Sequence, residues 1–190
     1  LAAAFVLGTS LLYFTLAWLL LLDMAFAVAI AATLGCFLLG IREPPGRRRL
    51  AWFLGLYAAA AVATLAKGLL GFLLPGAIMF LWLLLLHQWH RLRPLYLPGG
   101  ILLFLALAAP WHLLVGQRNP EWAAFYLVHE HWTRFTTTAH GRAEPFWFFG
   151  PVLVGALFPW IGFLPAAVRA ALAGGWHRRR EHADAWFLFL

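Results

Sequence analysis

The ionisable side chains of this chain gather in one hydrophilic stretch. Glu121, Glu130, Glu144, His129, His131 and His140 all fall between Asn119 and Glu144, in a sequence of 190 residues that is only 11% charged. Glu130 and Arg134 are four apart, so on a helix they share a face, with Tyr126 one turn earlier. That spacing has two readings. One is an i,i+4 ion pair contributing a few tenths of a kcal/mol. The other is a carboxylate that accepts a proton beside a guanidinium that reads a phosphate. His129 and His131 suggest a metal, but two residues apart on a helix they point about 200° from each other. A two-histidine helical site uses i,i+4 spacing instead, so at most one of them serves a given ion.

Two further charges stand alone in apolar surroundings. Asp23 follows four leucines, and Lys67 precedes Gly68 at the end of an alanine-rich run. Each has a bland reading, a turn-forming aspartate facing water and a snorkelling lysine. Together with the hydrophilic stretch they put ionisable residues on all three connections at one membrane face, with opposite charges among them. That pattern suits a polar site just above the bilayer and an anionic substrate, such as a lipid phosphate. His112 and Thr9-Ser10 also fall near this face, where helix packing is the favoured role for both.

The elements that must position these groups are membrane helices. Hydrophobic residues make up 64% of the chain, well above the roughly half of a soluble domain, and apolar runs repeatedly approach the about 20 residues that cross a bilayer. The arginines cluster at Arg42 with Arg47–Arg49, at Arg91 and Arg93, and at Arg169 with Arg178–Arg180. Such clusters mark cytoplasmic loops, and their placement argues against nucleic acid as a partner despite the formal charge of +7. With them inside, spans at 2–22, 24–41, 50–66, 69–86, 96–115 and 146–168 alternate consistently, with outer turns at Asp23 and at Lys67-Gly68. The expected fold is therefore all-α, a polytopic transmembrane helical bundle of about six complete spans and a partial seventh beginning near Ala183. Pro44-Pro45-Gly46 marks a loop, and Pro75-Gly76 predicts a kink. Residues 116–145 form the large outer loop. Within it Asn119 as N-cap, Pro120 at the first helical position and Glu121 in the first turn predict a helix lying in the interface plane. The single Cys36 allows no intrachain disulfide.

The words of the sequence then resemble a known family. Asp23-Met24, Ala66-Lys67-Gly68, Leu74-Pro75, Pro110-Trp111, Glu130-His131-Trp132-Thr133-Arg134-Phe135, Glu144-Pro145-Phe146-Trp147 and Phe158-Pro159-Trp160 occur in that order. They resemble the polyprenyl-phosphate-dependent membrane glycosyltransferases of the protein O-mannosyltransferase superfamily, in the bacterial GT-C branch typified by 4-amino-4-deoxy-L-arabinose transferase. The resemblance implies a GT-C fold in the bacterial inner membrane, an active site at the periplasmic face, a polyprenyl-phosphate-linked sugar as donor, and a lipid (lipid A-like) or protein acceptor. It implies that Asp23, Lys67 and Glu130 belong to the catalytic group, that Arg134, Tyr126 and Phe135 bind substrate, and that His131 can ligate a divalent metal such as zinc. It further implies a catalytic aspartate and a Lys-Pro-Pro motif that would precede Leu1, so the whole of 1–190 reads as a fragment of a transmembrane glycosyltransferase domain, inactive alone. The competing class is a transporter or flippase using Asp23 and Lys67 as coupling charges, which predicts mid-membrane ionisable groups and discontinuous helices.

Overall fold

The structure is a computed structural model and describes residues 2–18, 22–126, 145, 147–171, 183 and 187. The described residues are helical throughout, without strands. Nine helices follow in order among them: α1 (Ala2–Thr9), α2 (Leu11–Trp18), α3 (Leu22–Arg42), α4 (Arg47–Lys67), α5 (Leu70–Leu86), α6 (Leu97–Arg118), α7 (Trp122–Ala124), α8 (Phe149–Ala156) and α9 (Leu164–Ala171). The chain divides into two compact units, residues 1–20 with 109–161, and residues 21–108 with 162–190.

The second unit is built on an α3–α4 hairpin. Pro44 and Pro45 cannot continue a helix and Gly46 adopts an extended backbone, so the chain reverses within four residues. The facing surfaces are mostly small, with Ala29, Thr33 and Gly40 on α3 and Ala60, Ala61, Ala63 and Thr64 on α4 all buried. Small residues let membrane helices approach closely where lipid supplies no hydrophobic drive. Below this seam Phe37, Phe53, Leu56, Trp82 and Leu86 form the core. Trp82 meets Phe37 and Phe187 edge to face, with centroids 5.8 and 5.7 Å apart, and its indole N–H donates to the Ala183 carbonyl at 2.7 Å. The Phe187 amide donates to Ala183 O at 3.1 Å.

Arg49 closes the opposite end of the hairpin from Lys67. It is 4% exposed, and its guanidinium donates to the carbonyls of Glu43, Arg91 and Pro94 at 2.9, 2.5 and 3.1 Å while lying over the Phe53 ring. The expected Arg42–Arg49 loop is thus shorter, residues 43–46, with Arg47–Arg49 forming the first turn of α4.

Among the described residues three helices, Leu22–Arg42, Arg47–Lys67 and Leu97–Arg118, are long and apolar enough to cross a membrane, with a fourth if Phe149–Ala156 and Trp160–Ala170 make one crossing. Leu70–Leu86 is apolar, runs continuously through Pro75 and has 17 residues, the lower limit for a span. The expected first span breaks at Ser10. Thr9 and Ser10 hydroxyls bond back to Phe5 O and Val6 O at 2.7 Å each, a habit that bends helices. The Leu11 amide donates instead to Phe158 O at 2.9 Å. Phe158 lies in the break after α8, where Pro159 has no amide to continue the ladder, so each interruption lends the other a backbone partner.

Two glycines of α5 give a contrasting test of this packing. A Cβ at Gly71 would run into the backbone of Ala63 and Thr64, whereas one at Gly76 meets nothing within 4 Å. Gly71→Ala is expected to destabilise by about 1–3 kcal/mol through overpacking. Gly76→Ala should be neutral or stabilising by up to about 1 kcal/mol. Thermal unfolding of the two variants in detergent checks the difference.

Candidate active site

Lys67 is the last residue of α4, and its position follows from the turn after it. Gly68 takes φ 68°, ψ −148°, and its amide donates to Thr64 O at 2.7 Å. That backbone conformation is open to glycine and costly for other residues, so α4 stops there. The missing Cβ of Gly71 then lets α5 fold straight back against Ala63 and Thr64. Asp23 lies in the first turn of α3, which begins at Leu22. The expectation had it in the turn itself. An aspartate suits both places, and here it complements the positive end of the α3 dipole as Lys67 complements the negative end of α4.

The hairpin brings these two residues together. Lys67 Nζ and Asp23 Oδ1 form an ion pair with side chains 40% and 47% exposed. The ammonium also stands 5.5 Å from the centroid of the Phe26 ring. Phe26 escaped the sequence reading, although its place three residues after Asp23 puts both on one face of α3. An exposed pair of this kind contributes about 0–1 kcal/mol. Neither side chain is fully enclosed by the pair. The ammonium has donors left for an incoming phosphate oxygen, and the carboxylate has lone pairs for hydroxyl or amine donors.

Tyr126 belongs to the other unit. Its ring stacks on Trp122, centroids 4.7 Å apart at 17°, and its hydroxyl lies 3.4 Å from His112 Nε2. Trp111 and His112 complete an aromatic cluster with Trp122. Burial raises the Tyr126 phenol above its ordinary value of 10.0, so at neutral pH it is a proton-carrying donor. His112 thus packs, as favoured, and so does Thr9, whose hydroxyl accepts the Trp160 indole N–H at 2.9 Å. Asn119 does not cap a helix with its side chain. Its Nδ2 donates back to Val115 O, its carbonyl accepts from the Trp122 amide, and α6 runs on to Arg118. Glu130, His131, Arg134 and Phe135, with His129, lie outside the described residues. Among the described residues no group of three His, Cys, Asp or Glu is placed to hold a metal.

No protein-family model matches the chain. The chain is 32% identical over 165 residues to undecaprenyl phosphate-alpha-4-amino-4-deoxy-L-arabinose arabinosyl transferase 2 of Pseudomonas fluorescens, an overlap of 87% of this chain and 29% of that protein. It is 37% identical over 143 residues to the corresponding transferase of Pseudomonas aeruginosa, covering 75% and 25%. Its fold matches the crystal structure of ArnT from Cupriavidus metallidurans bound to undecaprenyl phosphate, with TM-score 0.74, 33% identity, and 88% and 31% of the two chains covered. Over most of its own length the chain is similar in sequence and in fold to these undecaprenyl-phosphate arabinosyl transferases. It spans under a third of the length of these relatives. The GT-C resemblance read from the sequence words, the all-α class and the membrane setting are thereby established.

Two outcomes follow from the site geometry. Asp23→Asn, which empties a half-exposed pair, is expected to change unfolding stability by no more than about 1 kcal/mol, measured by thermal unfolding at neutral pH. Tyr126 contributes its full stabilisation below pH about 10 and loses it as pH rises through the raised value. Tyr126→Phe should therefore flatten the alkaline limb of a melting-temperature profile.

Proposed function

We propose that the protein transfers a sugar from a polyprenyl-phosphate donor to a lipid A-like lipid or a protein acceptor at the periplasmic face of the bacterial inner membrane. The observation that carries this reading is the Asp23–Lys67 pair at one end of the α3–α4 hairpin, in a fold shared with a protein crystallised with undecaprenyl phosphate. Lys67 is assigned to the donor phosphate and Asp23 to polar groups of the substrate or acceptor. In the transfer, an acceptor oxygen attacks the anomeric carbon while the bond from that carbon to the phosphate oxygen breaks. The electron pair leaves with polyprenyl phosphate, whose charge a cation stabilises as it develops. The acceptor hydroxyl proton passes to a carboxylate base. Configuration inverts.

Glu130 and Arg134 are assigned to the same centre, with Tyr126 and Phe135 on the substrate side and His131 as a candidate ligand for a divalent ion. A transporter or flippase remains the second reading, favoured by the interruptions at Ser10 and after α8. Discontinuous helices in transporters frame charges at mid-membrane. Here Asp23 and Lys67 sit at helix ends, and the groups at the breaks are Thr9, Ser10 and Trp160.

The test is transfer of radiolabelled sugar from polyprenyl phosphate to extracted lipids in membranes carrying the full-length protein. Loss of label transfer in Lys67→Ala, Asp23→Asn and Arg134→Ala, at matched expression and stability, is the expected result. Given an interaction made with developing charge, each should lose about a hundredfold or more. Unchanged transfer in Lys67→Ala would remove the assignment. Absence of any transfer in wild type, with substrate uptake present, would favour the transporter.

A further inference from the structure

Among the described residues, the end of the second unit opposite Lys67 carries a cluster of positive charge with Glu43 as the one acidic residue beside it. Arg47, Arg48 and Arg49 form the first turn of α4, which has no acidic residue in that turn and no side-chain cap at Gly46. Cations at a helix N-terminus oppose the dipole, and an anion there relieves both fields. The buried Arg49, donating to Glu43, Arg91 and Pro94 carbonyls, ties this turn to the segment 87–95. That segment adds the exposed Arg93, His87 and His90. Glu43 is the sole acidic residue in 42–49 and 87–95. Exposed Trp89 and Leu97 flank the charges, as expected at a headgroup boundary.

Beneath the same segment lies an apolar cleft of about 210 Å³ that ends at Leu92 and Leu95. It adjoins a second, of about 220 Å³, through Leu56, Tyr57 and Met79. Neither is lined by a charged side chain, so the pair fits a hydrocarbon chain. We propose that this end of the unit seats an anionic glycerophospholipid, its phosphate over Arg47, Arg48 and Arg93 and one acyl chain in the clefts. The site stands about 28 Å from Asp23, the rise of α3 from Asp23 to Arg42 at 1.5 Å per residue, and does not depend on the transfer reaction.

Gly76 lines the first cleft, and a Cβ there meets nothing within 4 Å. A larger side chain at this position starts from open space and extends into room that an acyl chain would use. The experiment is native mass spectrometry of the full-length protein released from bilayers of phosphatidylglycerol and phosphatidylcholine. Wild type is expected to keep phosphatidylglycerol selectively. Arg47→Gln/Arg48→Gln/Arg93→Gln should weaken retention by about tenfold or more, given the contribution of each basic side chain near anionic lipid. Gly76→Leu should lower it independently, with melting temperature unchanged. Equal retention by the triple variant would overturn the headgroup assignment. Arginine-dependent retention untouched by Gly76→Leu would overturn the chain seat. Displacement of phosphatidylglycerol at these arginines by polyprenyl phosphate would overturn the lipid class.

Discussion

Helices α3 and α4 are 21 residues each and lie antiparallel along a seam of small residues, and the placement of the charges at their two ends depends on how closely they approach. Side chains fill what little room remains. A Cβ at Gly40 would sit 3.1 Å from the Phe53 ring, and one at Gly55 would sit 3.1 Å from Cys36 Sγ. With the helices in this register, the start of α3 meets the end of α4, and Asp23 meets Lys67. At the other end, the same register leaves the first turn of α4 where Arg49 can reach carbonyls on two loops. One helix pair therefore separates the two charged ends by a bilayer's thickness of apolar packing. Neither charged group needs a strong bond of its own to stay in place.

The other unit meets a different constraint. Backbone groups in a membrane protein must be satisfied internally, and irregular backbone at depth survives only where protein covers it. The breaks at Ser10 and after α8 answer that demand through the Leu11–Phe158 backbone bond and the Trp160–Thr9 side-chain bond. The Phe158-Pro159-Trp160 words thus have a structural job, since the proline interrupts the helix and the tryptophan holds the interruption. The aromatic group of Trp111, His112, Trp122 and Tyr126 similarly holds the start of the outer loop to the end of α6.

Much of this was legible in the residues. The Lys67-Gly68 turn could be read because a glycine after a charged residue ends an apolar run, and its positive φ explains why that signal is reliable. The Pro44-Pro45-Gly46 loop was legible for the same kind of reason. Asp23 was placed one step off, because aspartate favours turns and first helical turns alike. The break at Ser10 was invisible to hydropathy, which counts side chains and not main-chain partners; the residue that takes the Leu11 amide is 147 positions away. Arg49 looked like one more basic residue of a loop. Its burial depends on carbonyls at Arg91 and Pro94 that only the folded chain brings within reach. The proposed roles of Glu130, His131, Arg134 and Phe135 rest on motif and spacing.

The central claim is that the Asp23–Lys67 end of the hairpin receives the donor phosphate. The most direct test is the structure of the full-length protein with polyprenyl phosphate bound. A phosphate oxygen within ion-pair distance of Lys67 Nζ, with Asp23 released or shared, is the predicted result. A phosphate seated elsewhere while Lys67 stays closed on Asp23 would contradict the account.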